Sequence, residues 1–306
     1  MVPSLPRVGR SGDPPLSKLP VAAQAFLKLL LAGGALFGAM ELFRLVLLPE
    51  LQSAFQLDAT ATSVVRRVGI LLSVLLAYWA YVRLIEGRRV HELYFAPASI
   101  ANGVLSGVVL ISITSVSLFA IGIYEVTAVR GLQSGLQGVA GLIFVAAMLE
   151  EIAFRGVLFQ ILESAWGTVP ALWVQSFIFA VLHLANIEDV ASHQEMITTV
   201  VWGTLIGAFW TVMFVYSRNL WVVGTHHAAW NFSIILTGLP LSGIETWRTV
   251  APLESRYNGP PWLTGGVFRP EDSVITIVVV AIGIAVLFYL ARENGRLINP
   301  AMRRAD

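Results

Sequence analysis

The chain has no cysteine among its 306 residues. That excludes a disulfide frame, a thiolate metal or iron–sulfur site, a cysteine nucleophile and a thiol-linked lipid on the chain itself. Charge is scarce as well. Asp, Glu, Lys and Arg make up 13% of the residues, about half the share in a soluble domain. The formal net charge is +1, so there is no basic field to hold a nucleic acid, and no nucleic-acid partner is expected. No low-complexity run and no clear internal repeat is present. What is abundant is apolar: 56% of the residues, with a mean hydropathy of +0.74. This composition excludes a disordered chain and an ordinary cytosolic enzyme, and makes the lipid bilayer the first partner.

A spanning helix needs roughly 20 mostly apolar residues. Eight stretches qualify: 22–48, 65–86, 99–124, 136–163, 169–187, 196–217, 219–238 and 273–292. The expected fold class is therefore all-α, a polytopic membrane protein of about eight transmembrane helices with both termini cytoplasmic. Residues 1–20 form a basic, proline-rich tail, and 21–135 hold the first helices. Residues 136–238 form a core, 239–272 an extramembrane loop, and 273–306 the last helix with a basic tail. The orientation follows from Lys and Arg. With the N-terminus inside, Arg7, Arg10, Lys18, Arg83, Arg88, Arg89, Arg218, Arg292, Arg296, Arg303 and Arg304 lie inside. Arg66, Arg67, Arg130, Arg248, Arg256 and Arg269 lie outside, eleven against six. Loop 188–195 carries Glu188, Asp189 and Glu195 and no Lys or Arg, which suits the outer face. The pairs Gly34/Gly38 and Gly203/Gly207 have the spacing that lets helices approach closely in lipid.

Ionisable groups at membrane depth are costly, which makes each a functional candidate. Lys28 is near enough to its span end to snorkel, and Glu41 and Arg44 pair one turn apart. The fourth span is different: it carries Glu150, Glu151 and Arg155. Adjacent glutamates point about 100° apart on a helix. Arg155, four residues after Glu151, reaches it on one face and leaves Glu150 free. A carboxylate stripped of solvation is a competent general base. A buried ion-pair cluster that fixes helix packing is the alternative.

The fifth span supplies His183, with Phe179 one turn back and Asn186 one turn on. The seventh supplies His227 and Asn231, four apart on one face, with His226 turned away. Each of these histidines could equally serve as a helix–helix hydrogen bonder. Glu150, His183 and His227 with Asn231 fall at compatible depths on three spans, and the His227–Asn231 pair could present two donors to one oxyanion.

The ordered set Glu-Glu-x-x-x-Arg (Glu150, Glu151, Arg155), Phe-x-x-x-His (Phe179, His183) and His-x-x-x-Asn (His227, Asn231) resembles the CPBP intramembrane proteases. That family includes the type II CAAX prenyl endopeptidases and bacteriocin-processing or immunity proteins. The resemblance covers roughly residues 136–235 and implies an intramembrane endopeptidase. Glu150 and His183 would activate a water, His227 and Asn231 would stabilise the oxyanion, and Glu151, held by Arg155, would orient the site. The substrate would be membrane-associated, lipidated or a C-terminal sorting peptide. The site would open to the cytoplasmic side of a bacterial inner membrane. No cofactor is expected, although Glu150, His183 and His227 would also make a His₂Glu zinc set. No compact metal motif such as His-Glu-x-x-His is present. A non-catalytic immunity or scaffold protein of the same fold, and an ion- or proton-coupled transporter, are the alternatives.

Overall fold

The computed structural model describes residues 19–187 and 192–299. Glu188 and Asp189, and the tail charges Arg7, Arg10, Lys18, Arg303 and Arg304, lie outside the described residues. Helices occupy all eight expected spans. They are α1 (Val21–Phe55), α2 (Ala59–Leu84), α3 (Pro97–Ala120), α4 (136–166), α5 (Thr168–Asn186), α6 (His193–Ser217), α7 (Leu220–Leu236) and α8 (Val274–Glu293). Six of them are long and apolar enough to cross a membrane. The other two are α4, which carries Glu150, Glu151 and Arg155, and α7, which is 17 residues long. The chain is an all-α polytopic membrane protein with one small two-stranded sheet.

Helix starts follow from local chemistry. Asp58, Asn219 and Ser273 each accept a hydrogen bond from a first-turn amide, and Ser192 forms a capping box with Glu195. Such caps satisfy amides that the helix itself leaves unpaired. The helices α3, α4 and α6 pack around α7, and α5 packs on α6. In α6, 56% of the most apolar window is buried, against 17% in α1. The outer helices turn large apolar side chains such as Phe26, Leu76 and Ile282 outward, as lipid contact requires.

Helix α4 carries a π-helical segment, Ile152–Phe159, between Glu151 and Gln160. Gln160 Nε2 donates to the Gly156 carbonyl at 3.0 Å. The same amide donates to the Tyr78 hydroxyl, which in turn donates to Glu92. Arg88 is paired with Glu92, and this bridge holds the Glu92 carboxyl below its ordinary range despite burial. A buried polar bracket thus supports the bulge.

The expected third span, 99–124, runs too far. Helix α3 ends at Ala120, Gly122 turns with φ +74°, and Tyr124–Val129 forms strand β1. Its antiparallel partner is β2 (Leu253–Tyr257), in the register Tyr124↔Tyr257 and Val129↔Leu253. Residues 239–272 are thus an ordered cap, tied down when Tyr124 Oη donates to the Thr264 carbonyl at 2.7 Å.

The two ends of the bundle are distinct. At one end Arg218 donates to Glu163 at 2.6 Å and to the Arg296 carbonyl at 2.7 Å, and Asn219 donates to the Tyr94 carbonyl at 2.6 Å. Helix α1 begins and α8 finishes at this end. The β ribbon and the cap lie at the other.

Of the glycine pairs, Gly203 and Gly207 do pack, against Ala180 and Ser176 of α5. Gly34 and Gly38 meet nothing within 4 Å. The closest approach belongs to a pair not singled out, Gly103 and Gly107. Their α-carbons sit against the backbone carbonyls of Val222 and His226 on α7, where a Cβ would collide.

Candidate active site

Four helices and the cap enclose a cavity of about 70 Å³. Glu150 enters from α4, His183 and Asn186 from α5, Thr199 and Trp210 from α6, and His227 and Asn231 from α7. Helical periodicity brings them together. Ile143, Ala146 and Glu150 line one face of α4, as Phe179, His183 and Asn186 do on α5.

Glu150 Oε2 lies 3.9 Å from His183 Nε2 and 3.9 Å from His227 Nε2. These spans are too long for direct hydrogen bonds. Each imidazole is oriented from behind. His183 Nδ1 lies 2.9 Å from the Phe179 carbonyl, to which it can only donate, so its neutral ring turns a lone pair on Nε2 toward Glu150. His227 Nδ1 donates to Glu151 Oε1 at 2.9 Å. Rings hold both in place. Trp210 stacks on His227 with centroids 3.7 Å apart, and Phe179 lies 4.1 Å from His183.

Glu151 and Arg155 have no exposed side-chain surface. Arg155 Nη1 donates to Glu151 Oε1 at 3.0 Å, Nη2 to the Gly207 carbonyl at 2.9 Å and Nε to Thr211 at 3.3 Å. Its guanidinium sits 4.8 Å from the Phe179 ring centroid. Glu150 keeps 34% of its side chain exposed. Asn231 lines the cavity, and its Oδ1 has no hydrogen-bond partner among the described residues. His226 is turned away, with Nδ1 2.9 Å from Ser106 Oγ. The structure thus brings together the side chains of Glu150, His183, His227 and Asn231, and places Glu151 and Arg155 behind them.

The cap adds residues that the sequence did not mark. Glu271 Oε2 accepts from Ser242 N at 3.0 Å and from Ser242 Oγ at 2.6 Å. Asp272 Oδ2 accepts from Thr199 Oγ1 at 3.0 Å. Both carboxyls line the cavity and are buried. Burial pushes both above the ordinary carboxylate range, partly offset at Glu271 by Ser242 and the two imidazoles. Ser242 itself has φ +47°, an uncommon conformation for a residue with a Cβ.

A zinc ion held by Glu150, His183 and His227 would need these three donors closer together. Two atoms bonded at 2.0–2.2 Å to one tetrahedral ion lie about 3.4 Å apart. The 3.9 Å separations exceed that. No group of three His, Asp or Glu side chains among the described residues converges on a metal position. The arrangement does not fit a zinc ion.

The cavity lies toward the cap end, opposite the end where α1 begins and α8 finishes. Among the described residues, Arg83, Arg88, Arg89, Arg218, Arg292 and Arg296 lie toward the terminal end. Arg66, Arg67, Arg130, Arg248, Arg256 and Arg269 lie toward the cap end. The charge asymmetry thus comes from the tails.

Residues 132–233, one third of the chain, match the family model for type II CAAX prenyl endopeptidase, Rce1-like. That segment holds all six site residues read from the sequence and agrees with the resemblance to CPBP proteases. The likeness of this segment is to CAAX-type membrane endopeptidases in general. No curated protein and no solved structure matches the chain.

Proposed function

We propose that the protein is an intramembrane endopeptidase that hydrolyses a peptide bond with a water activated by Glu150 and His183. The observation that carries this reading is the placement of Glu150 Oε2 at 3.9 Å from two imidazole Nε2 atoms. One water can hydrogen-bond across such a gap, and the cavity has room for a few.

Glu150 takes a proton from the water as its oxygen attacks the scissile carbonyl. Asn231 and a protonated His227 donate to the resulting oxyanion, and the Glu151 carboxylate balances the imidazolium. Glu150 then passes its proton to the departing amine. The carbon–nitrogen bond breaks, and an acid and an amine leave with no covalent intermediate. Arg155 keeps Glu151 in position.

The substrate class we favour is a membrane-associated, lipidated or C-terminal-sorting polypeptide, and the compartment is the bacterial cytoplasmic membrane. The test is to map new protein termini in liposomes that hold the enzyme and the membrane proteins of its source. Termini made by wild type and absent with Glu150→Gln support the reading. Identical termini with both sink it. Loss of cleavage with a chelator, restored by zinc, would overturn the metal-free chemistry.

A further inference from the structure

A second cavity borders the first. It holds about 400 Å³, against about 70 Å³ for the catalytic cavity. The smaller has room for a few waters. The larger falls in the range of ligand pockets, roughly 300–1,000 Å³. Its walls are the first turns of α6, with Gln194, Glu195 and Thr198, and the turn 261–267, with Trp262. Thr199 and Asp272 line both cavities. Their side chains are buried and joined by the 3.0 Å hydrogen bond, so this pair forms the shared wall.

The sizes decide what each cavity holds. A polypeptide cannot lie in the catalytic cavity for more than the bond being cut. The chain on one side of that bond needs neighbouring space, and the larger cavity adjoins at Thr199 and Asp272. We infer that the larger cavity is the subsite for the extended substrate segment that flanks the scissile bond, an inference that rests on the endopeptidase reading.

The lining sets the chemistry of that segment. Gln194 and Thr198 offer hydrogen bonds to a peptide backbone, and Trp262, 59% exposed, offers a ring to a side chain. Glu195 is acidic, and no Lys or Arg lines the cavity among the described residues. The segment is therefore neutral or basic, and acidic residues are disfavoured in it.

The absence of native cysteine makes the test direct. T198C places one thiol in the cavity, and R89C places a control thiol at the opposite end. Each is alkylated with N-ethylmaleimide alone or with cysteine-free random hexapeptide amides, one mixture neutral and basic, the other containing Asp and Glu. The neutral and basic mixture should slow alkylation of T198C about threefold at a concentration of about twice its Kd, and leave R89C unchanged. The acidic mixture should protect less. Alkylated T198C should show Glu150-dependent cleavage about tenfold or more slower than unmodified T198C assayed beside it, whatever the rate of the latter relative to wild type. Alkylation indifferent to both mixtures, or alkylated protein cleaving at the unmodified rate, overturns the assignment. Q194C, on the exposed first turn, gives the same readings should T198C fail to fold. A wild type that cleaves nothing defeats the endopeptidase reading alone, because the alkylation rates still report whether the cavity takes a peptide.

Discussion

Glu150 keeps a third of its side chain exposed, whereas Glu151, one residue on, is wholly buried against Arg155. That difference divides their work: one faces the water-sized cavity and the other orients His227. The division was legible in the sequence, because helical geometry fixes which of two neighbours a residue four positions on can reach. The same argument separated His226 from His227. His226 contacts Ser106, Phe209 and Trp230 instead of the cavity. His227→Ala should lower kcat/KM by about 100-fold or more through the lost oxyanion donor. His226→Ala should lower the unfolding temperature and leave kcat within about threefold, since it removes packing and the Ser106 hydrogen bond but nothing that faces the cavity. Steady-state kinetics and thermal unfolding on both variants separate the two, and equal kinetic losses would contradict the register. Arg155→Ala leaves Glu151 buried without its ion partner, which costs about 3–5 kcal/mol. Denaturant unfolding in detergent should show that loss together with reduced turnover.

At the scale of elements, the helices were readable because apolar length is a local property. The parts that were not readable depend on distant partners. Strand β1 pairs with residues more than a hundred positions on, and nothing in Tyr124–Val129 announces that partner. Glu271 and Asp272 sit among proline and charge in what reads as a surface loop, yet the cap folds them into the cavity. Trp210 reads as one more aromatic in an apolar span until it stacks on His227. Glycine spacing alone also misled, since the Gly34/Gly38 pair faces outward while Gly103 and Gly107 carry α3 onto α7. Gly107→Ala should therefore cost about 1–3 kcal/mol through overpacking against the His226 carbonyl. Gly34→Ala should be neutral within about 0.5 kcal/mol. Unfolding midpoints of the two variants check this contrast, and equal midpoints would contradict the packing.

For the whole molecule, orientation decides which face of the membrane the cavity meets. The basic tails favour the terminal end inside, by the positive-inside rule, and we take that orientation, with the cap end outward. It predicts that in intact cells a membrane-impermeant thiol reagent labels E245C, in the cap, and spares R89C until the cells are opened. The reverse pattern would turn the cap end to the cytoplasm and leave the chemistry untouched. That chemistry is tested most directly by Glu150→Gln, which keeps shape and removes the base. Reconstituted with a substrate that the wild type cleaves, the variant should lose about 10²–10⁴-fold in kcat with an unchanged unfolding temperature. A folded Glu150→Gln protein that cleaves at the wild-type rate would contradict the account.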